Sequence, residues 1–266
     1  MIVGYSVSIR QLLTSEIHID MLRLLLPCLI GVAFSVSAVA GEQEVKQVKA
    51  ELARSFPELS SATIRPAPIS GLYEVVLDAQ VLYASSDGKY LFMGDLIDAG
   101  PRTNLTEERR AAIREQLLNA VGEENMIVMG PEKAKRTITV FTDVDCPYCS
   151  KFHLDVPELN KQGVKVRYLF YPRAGTNSET FRRTVAVWCA KDRVKAIGIA
   201  KAGGKVDMKT CTNPVEKHFQ LGQRLGVDGT PTIFIDDGKK IPGYVPAPRL
   251  LGMLGITAES RSQTAQ

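Results

Sequence analysis

Cys146 and Cys149 are separated by Pro147 and Tyr148 in the stretch FTDVDCPYCSKFH, residues 141–153, directly after an apolar run. Two sulfurs at that spacing can hold half of a zinc site, close a structural bridge, or react as a dithiol. Zinc needs about four soft ligands in tetrahedral reach, commonly a second Cys-x-x-Cys or a histidine pair. Here Cys189 and Cys211 lie 22 positions apart and His153 and His218 stand alone, so no metal is expected and each histidine reads as a surface or partly packed residue. A structural bridge across so short a loop would remove little chain entropy. Redox chemistry is the better use. The run RTITVFT delivers Cys146 to the first turn of a helix, where unpaired N–H groups and the helix dipole favour a thiolate over a thiol. Cys146 is therefore expected to carry a lowered pKa and an exposed thiolate that attacks. Cys149, one turn further in and screened by its own helix, is expected to resolve.

A second signal lies 81 residues past Cys149, where GVDGTPTIFI places Gly229-Thr230-Pro231 before a strand. A proline that starts a strand after a turn is a candidate for a cis peptide bond, an ordinary trans proline being the alternative. Opposite a dithiol, the cis form would leave the preceding backbone groups unpaired and free to hold an extended substrate segment. The two signals together favour it.

These residues need a scaffold. With 266 residues, 45% of them hydrophobic, the chain can build one moderate domain or two small ones. Its net charge of +4 comes from 33 basic and 29 acidic residues spread along the sequence, which describes an ordinary solvated surface and not a nucleic-acid binder. MLRLLLPCLIGVAFSVSAVAGEQ reads as the body of a secretory signal peptide, residues 1–40, with cleavage after Ala40. A membrane anchor is the alternative, but the apolar run from Leu24 to Val36 is short for a full span. Residues 1–20 include Glu16 and Asp20, unusual in a signal, which makes Met21 an alternative start. Cleavage keeps the charge at +4, removes Cys28 and leaves four cysteines in an exported chain, so disulfides are expected.

Along the remaining chain, Val45, Val48, Leu52 and Phe56 are spaced as an amphipathic helix that Pro57 closes. Short β-rich runs follow, with Ser86-Asp87-Gly88 as a hairpin turn between Val81–Ala84 and Lys89–Met93. Asn104 and Glu107 form a capping box for an exposed helix with a narrow stripe of Ile113, Leu117 and Val121, ended by Gly122. A domain boundary is placed along that helix and its exit. Beyond it, RTITVFT and VKVRYLFY read as strands around a helix that starts at Cys146. Residues 178–225 are helical, TPTIFIDDGKKIPGY is a hairpin across Asp236-Asp237-Gly238, and APRLLGML is a last helix. That succession is an α/β layout.

FTDVDCPYCSKFH, AVWCAKD and GTPTIFI, in this order behind a small β-rich module and a helical linker, resemble the DsbC/DsbG family of periplasmic disulfide isomerases, which have a thioredoxin fold. RPAPISGLYEVV and IPGY extend the resemblance over about residues 42–256. It implies a small α+β, cystatin-like dimerisation domain at 41–102, a linker helix and exit at 103–134, a thioredoxin-like catalytic domain with a helical insertion at 135–258, and a flexible tail at 259–266. It also implies Cys146 as nucleophile, Cys149 as resolving thiol, and Thr230 and Pro231 as a substrate-facing element, with Pro147 and Tyr148 as further substrate-binding candidates. Cys189 and Cys211 match the family's structural disulfide. Further implications are a periplasmic homodimer, misfolded exported proteins with wrong disulfides as substrates, a membrane electron donor of the DsbD type, and no metal or organic cofactor. One departure matters: typical DsbC sequences carry Gly-Tyr between the cysteines, whereas Pro147-Tyr148 matches oxidase-like and DsbG-like members. A DsbG-like reductase, a dithiol oxidase and a non-catalytic holdase chaperone therefore stand beside the isomerase.

Overall fold

Val45, Val48 and Leu52 line one face of helix α1 over residues 41–55, with Val48 and Leu52 fully buried. The structure, a computed structural model, describes residues 41–256; the signal segment with Met21 and its cleavage site, and the tail at 259–266, lie outside the described residues. The chain divides into two compact units, one comprising the chain up to Val75 with Leu82–Phe92, the other Val76–Val81 with the chain from Met93 onward.

In the first unit a 3₁₀ turn, Pro57–Ser61, begins at the proline that cannot extend α1. Strands β1 (Thr63–Pro66), β2 (Leu72–Leu77), β3 (Gln80–Ser85) and β4 (Leu91–Phe92) pair in that order, the β2–β3 turn with its flanks, Val76–Val81, being counted with the second unit. The expected hairpin turn is present, and the Asp87 carboxylate accepts the Lys89 N–H at 3.1 Å. The buried Glu74 carboxylate is satisfied by a two-pronged bond from Arg65 at 2.7 and 3.0 Å.

From Met93 the second unit continues with a ribbon of β5 (Ile97–Asp98) and β6 (Thr103–Asn104), then helix α2 (Leu105–Asn119). Asn104 caps α2 by accepting the Glu107 N–H at 2.8 Å. The buried face of α2 is offset from the expected stripe. Ala111, Arg114 and Leu118 point inward, and Ile113, Leu117 and Val121 flank them half-buried. Arg114, tied to Glu107 at 2.6 Å, hides this seam from a count of apolar residues. The helix is therefore packed where an exposed one was expected.

Then come β7 (Ile127–Met129), β8 (Arg136–Thr142), α3 (Pro147–Lys161), β9 (Val164–Phe170), α4 (Glu179–Trp188), α5 (Arg193–Lys201), α6 (Val215–Arg224), β10 (Thr232–Ile235), β11 (Lys240–Pro242) and α7 (Ala247–Met253). The sheet order is β11-β10-β8-β9-β7. Within this five-stranded sheet only β8 and β9 run parallel, from Arg136 opposite Val164 to Thr142 opposite Phe170, and α3 is their crossover. Alternation along the strands divides the core. Ile138, Val140, Val166, Tyr168 and Ile233 pack with Phe152, Val156 and Leu250 on one face. Phe141, Leu169 and Phe234 pack with Leu118, Leu221 and Leu225 on the other. Gly238, at the β10–β11 turn, has φ +79°, and a Cβ there would fall on the Ala111 carbonyl oxygen of α2.

Candidate active site

The end of β8 and the start of α3 bring the dithiol into place. Cys146 is the N-cap of α3 and Pro147 occupies its first turn, where a missing N–H costs nothing. The Cys146 carbonyl accepts the Ser150 N–H at 3.0 Å and closes that turn. Both cysteines are free thiols. The expected exposure of Cys146 is not found: the residue is 1% exposed, and its Sγ donates to the Thr230 carbonyl at 3.2 Å. The Thr230–Pro231 peptide, which lies across it, is cis. Tyr148 is by contrast 59% exposed, with the Lys151 ammonium 5.5 Å from its ring centre.

The two thiols are pushed in opposite directions. Burial pushes Cys146 up, but the Thr230 side chain, the N–H and thiol of Cys149 and the Arg173 charge outweigh it, and the thiol sits below its ordinary value. Burial dominates at Cys149 and raises it, against the Lys201 charge, the Asp143 backbone and the Thr142 hydroxyl. Apart from its pull on the two thiols, the buried Thr230 hydroxyl has no hydrogen-bond partner.

Residues that no motif announced hold this geometry. Asp143 accepts the Asp145 N–H at 2.8 Å through one oxygen, and the Arg173 N–H and Nε at 3.0 and 2.9 Å through the other. Asp145 in turn accepts the Thr180 hydroxyl at 2.6 Å and pairs with Arg183. The loop before Cys146 is thereby fastened to the β9–α4 connection and to α4. Below it, Lys201 is 7% exposed and donates to the Thr142 hydroxyl at 2.6 Å. The only sequence signal for these groups was Asp143 and Asp145 within three residues of Cys146.

Cys189 and Cys211 are joined to each other, with Cα atoms 5.7 Å apart, and stand apart from the dithiol pair in the chain. His153 is partly packed, its Nδ1 3.1 Å from the Tyr168 hydroxyl. His218 is fully buried, a correction to its reading as a surface or partly packed residue: it sits in α6 beneath Phe170, whose N–H its Nδ1 accepts at 3.4 Å. Burial depresses both histidines to about 4. Among the described residues no group of three or more His, Cys, Asp and Glu is arranged to hold a metal, and no helix is long and apolar enough to cross a membrane.

Comparison with known proteins agrees with this architecture. A thioredoxin-like domain family matches residues 123–256, and the N-terminal domain family of disulfide bond isomerase proteins matches residues 36–107. The chain is 38% identical over 234 residues to the thiol:disulfide interchange protein DsbC of Dickeya dadantii, covering 87% of this chain and 94% of that one. It is 35% identical over 214 residues to the DsbC of Escherichia coli K12, covering 80% and 87%. A crystal structure of a disulfide interchange protein from Neisseria gonorrhoeae is 29% identical, covers 50% of this chain and 96% of that one, and has a TM-score of 0.45.

Proposed function

The chain belongs to the DsbC family of thiol:disulfide interchange proteins, and on that premise we propose that it is a periplasmic disulfide isomerase and reductase for exported proteins with wrong disulfides. The Cys146 thiolate attacks a substrate disulfide, one substrate sulfur leaves as thiolate, and a Cys146–substrate disulfide remains. A substrate thiol then displaces Cys146, which is isomerisation, or Cys149 does, which is net reduction. Pro147, Tyr148, Thr230 and Pro231 line the approach to Cys146 and contact the substrate segment. The observation that carries this reading is a free thiol pair at the start of α3, Cys146 as its N-cap under the cis Thr230–Pro231 peptide and Cys149 a turn further in.

Sustained isomerisation needs Cys146 and Cys149 kept as thiols, a task for a membrane electron donor of the DsbD type. The first unit is the dimerisation module. Its exposed Ile69, Tyr90 and Phe92, beside the open edges of β1 and β4, suit burial against a second copy. Cys189–Cys211 serves as a structural bridge.

Pro147 between the cysteines favours a second reading, a DsbG-like reductase or dithiol oxidase. Refolding of a scrambled multi-disulfide protein in a glutathione buffer separates them: an isomerase restores activity from the scrambled form, whereas an oxidase speeds only the reduced one. Retention of full effect after both Cys146 and Cys149 are changed to serine would instead identify a holdase chaperone.

A further inference from the structure

We propose that Lys201 and Thr142 form a proton relay to Cys149, Lys201 taking up the Cys149 proton through the Thr142 hydroxyl in the resolving step. The inference rests on the reading of Cys149 as resolving thiol.

Lys201 is the last residue of α5, a place from which lysine ordinarily reaches water along its flexible stem. Here it turns inward instead. Its Nζ donates to the Thr142 hydroxyl at 2.6 Å and the Asp143 carbonyl at 3.4 Å, and lies 5.6 Å from the Tyr168 ring centre. The backbone is anchored as well, because Ser150, the neighbour of Cys149, donates its hydroxyl to the Lys201 carbonyl at 2.7 Å. A buried ammonium calls for a charged partner. The acidic groups that face it are both engaged, Asp143 by Arg173 and Asp145 by Arg183. From α3 it faces Cys146, Cys149 and His153, and from β9 Tyr168. Burial keeps His153 neutral at neutral pH and Tyr168 protonated, so among these groups only the two thiols exchange a proton in the course of the reaction. Burial lowers Lys201 itself, and a thiolate at Cys149 raises it again.

The Thr142 hydroxyl, which accepts from Lys201 and whose hydrogen bond lowers Cys149, can run in either direction. With an amine at Lys201, the Cys149 thiol donates to Thr142 and Thr142 donates to Nζ. With an ammonium, Nζ donates to Thr142 and Thr142 donates to the thiolate. In a mixed disulfide, moving one proton along this line ionises Cys149, which attacks the Cys146 sulfur. The Cys146–Cys149 bond forms as the bond from Cys146 to the substrate sulfur breaks. Cys149 is oxidised, the substrate sulfur is reduced and leaves as thiolate, and that thiolate takes its proton from solvent. Lys201 and Thr142 are positioning residues in this scheme.

Reduced full-length protein mixed with an aromatic disulfide that releases a coloured thiolate reports both steps. Attack by Cys146 releases the first thiolate, and displacement by Cys149 releases the second. In Lys201→Met and in Thr142→Val the first phase is expected to keep its rate and the second to show a raised pH midpoint. For a midpoint about one pH unit higher, the thiolate fraction falls about tenfold while its nucleophilicity gains about threefold, so the second phase slows at least about threefold at neutral pH. A wild-type second phase in both variants overturns the relay. So does slowing in Lys201→Met alone, since the lysine charge would then act without Thr142. Should circular dichroism show Lys201→Met unfolded, Thr142→Val decides by the same midpoint. Absence of the first phase in the wild-type protein defeats the functional reading itself, a distinct outcome.

Discussion

The Cys146 sulfur lies 3.2 Å from the Thr230 carbonyl oxygen, although 84 residues separate them in the chain. As a thiol, Cys146 donates to that oxygen; as a thiolate, it faces an acceptor and needs a donor. The buried Thr230 hydroxyl, which lowers Cys146 and has no other hydrogen-bond partner, is the group placed to supply it. Thr230→Val should therefore raise the Cys146 midpoint. A hydrogen bond to a charged group contributes roughly 1.5 kcal/mol, so a rise of about one pH unit is expected. The rate of Cys146 alkylation against pH measures it, and an unmoved midpoint would remove Thr230 from the account.

The opposite shifts of the two thiols predict unequal trapping. Cys149→Ser should accumulate mixed disulfides with substrate proteins, because Cys146 still attacks and nothing resolves. Cys146→Ser should accumulate none, since the Cys149 thiol is raised and sits a turn further into α3. Non-reducing gels of the two variants check this, and equal trapping would reverse or dissolve the assigned roles.

His218 makes the fold acid-sensitive. The unfolded chain binds a proton there below about pH 6.5, its ordinary midpoint, but the native ring only below about 4. Between those values the unfolded state carries more protons, so stability falls as pH drops through the window, by on the order of 3 kcal/mol when complete. His218→Gln should flatten this part of the stability curve. Denaturant melts at pH 7 and pH 4.5 provide the comparison, and an unchanged slope would show that other groups control it.

Gly238→Ala should cost more than Gly175→Ala although both residues have positive φ, +79° and +84°. Open space surrounds Gly175, so only backbone strain of about 1 kcal/mol applies there. At Gly238 the added methyl also meets the Ala111 carbonyl, which should add at least about 1 kcal/mol. Thermal melts of both variants rank them, and equal losses would mean that α2 yields without cost.

Features that depend on neighbouring residues were legible in the sequence. The dithiol at a helix start, the Asn104 cap, the hairpin turns and the strands around α3 follow from local spacing, backbone preference and alternation. Features made by distant packing were not. Lys201 reads as an ordinary basic residue at a helix end, and only the seating of α5 beneath Thr142 buries it. Asp143 and Arg173 are 30 positions apart, and neither forms a motif. Ile127–Met129 is too short a run to announce the edge strand β7. Cys146 lost its expected exposure because Thr230 comes from the far end of the unit.

The Cys189–Cys211 bridge sets a condition on the birth of the molecule. A pair that serves as thiols cannot take up the two electrons that a new disulfide releases, so the bridge has to come from an external oxidant. Each newly made chain must therefore pass through an oxidising pathway once, before it enters the thiol-maintained cycle proposed for it. On the proposed cycle, assembly and upkeep thus draw on opposite electron flows, and a cell short of oxidant would lack the mature protein even with reductant to spare.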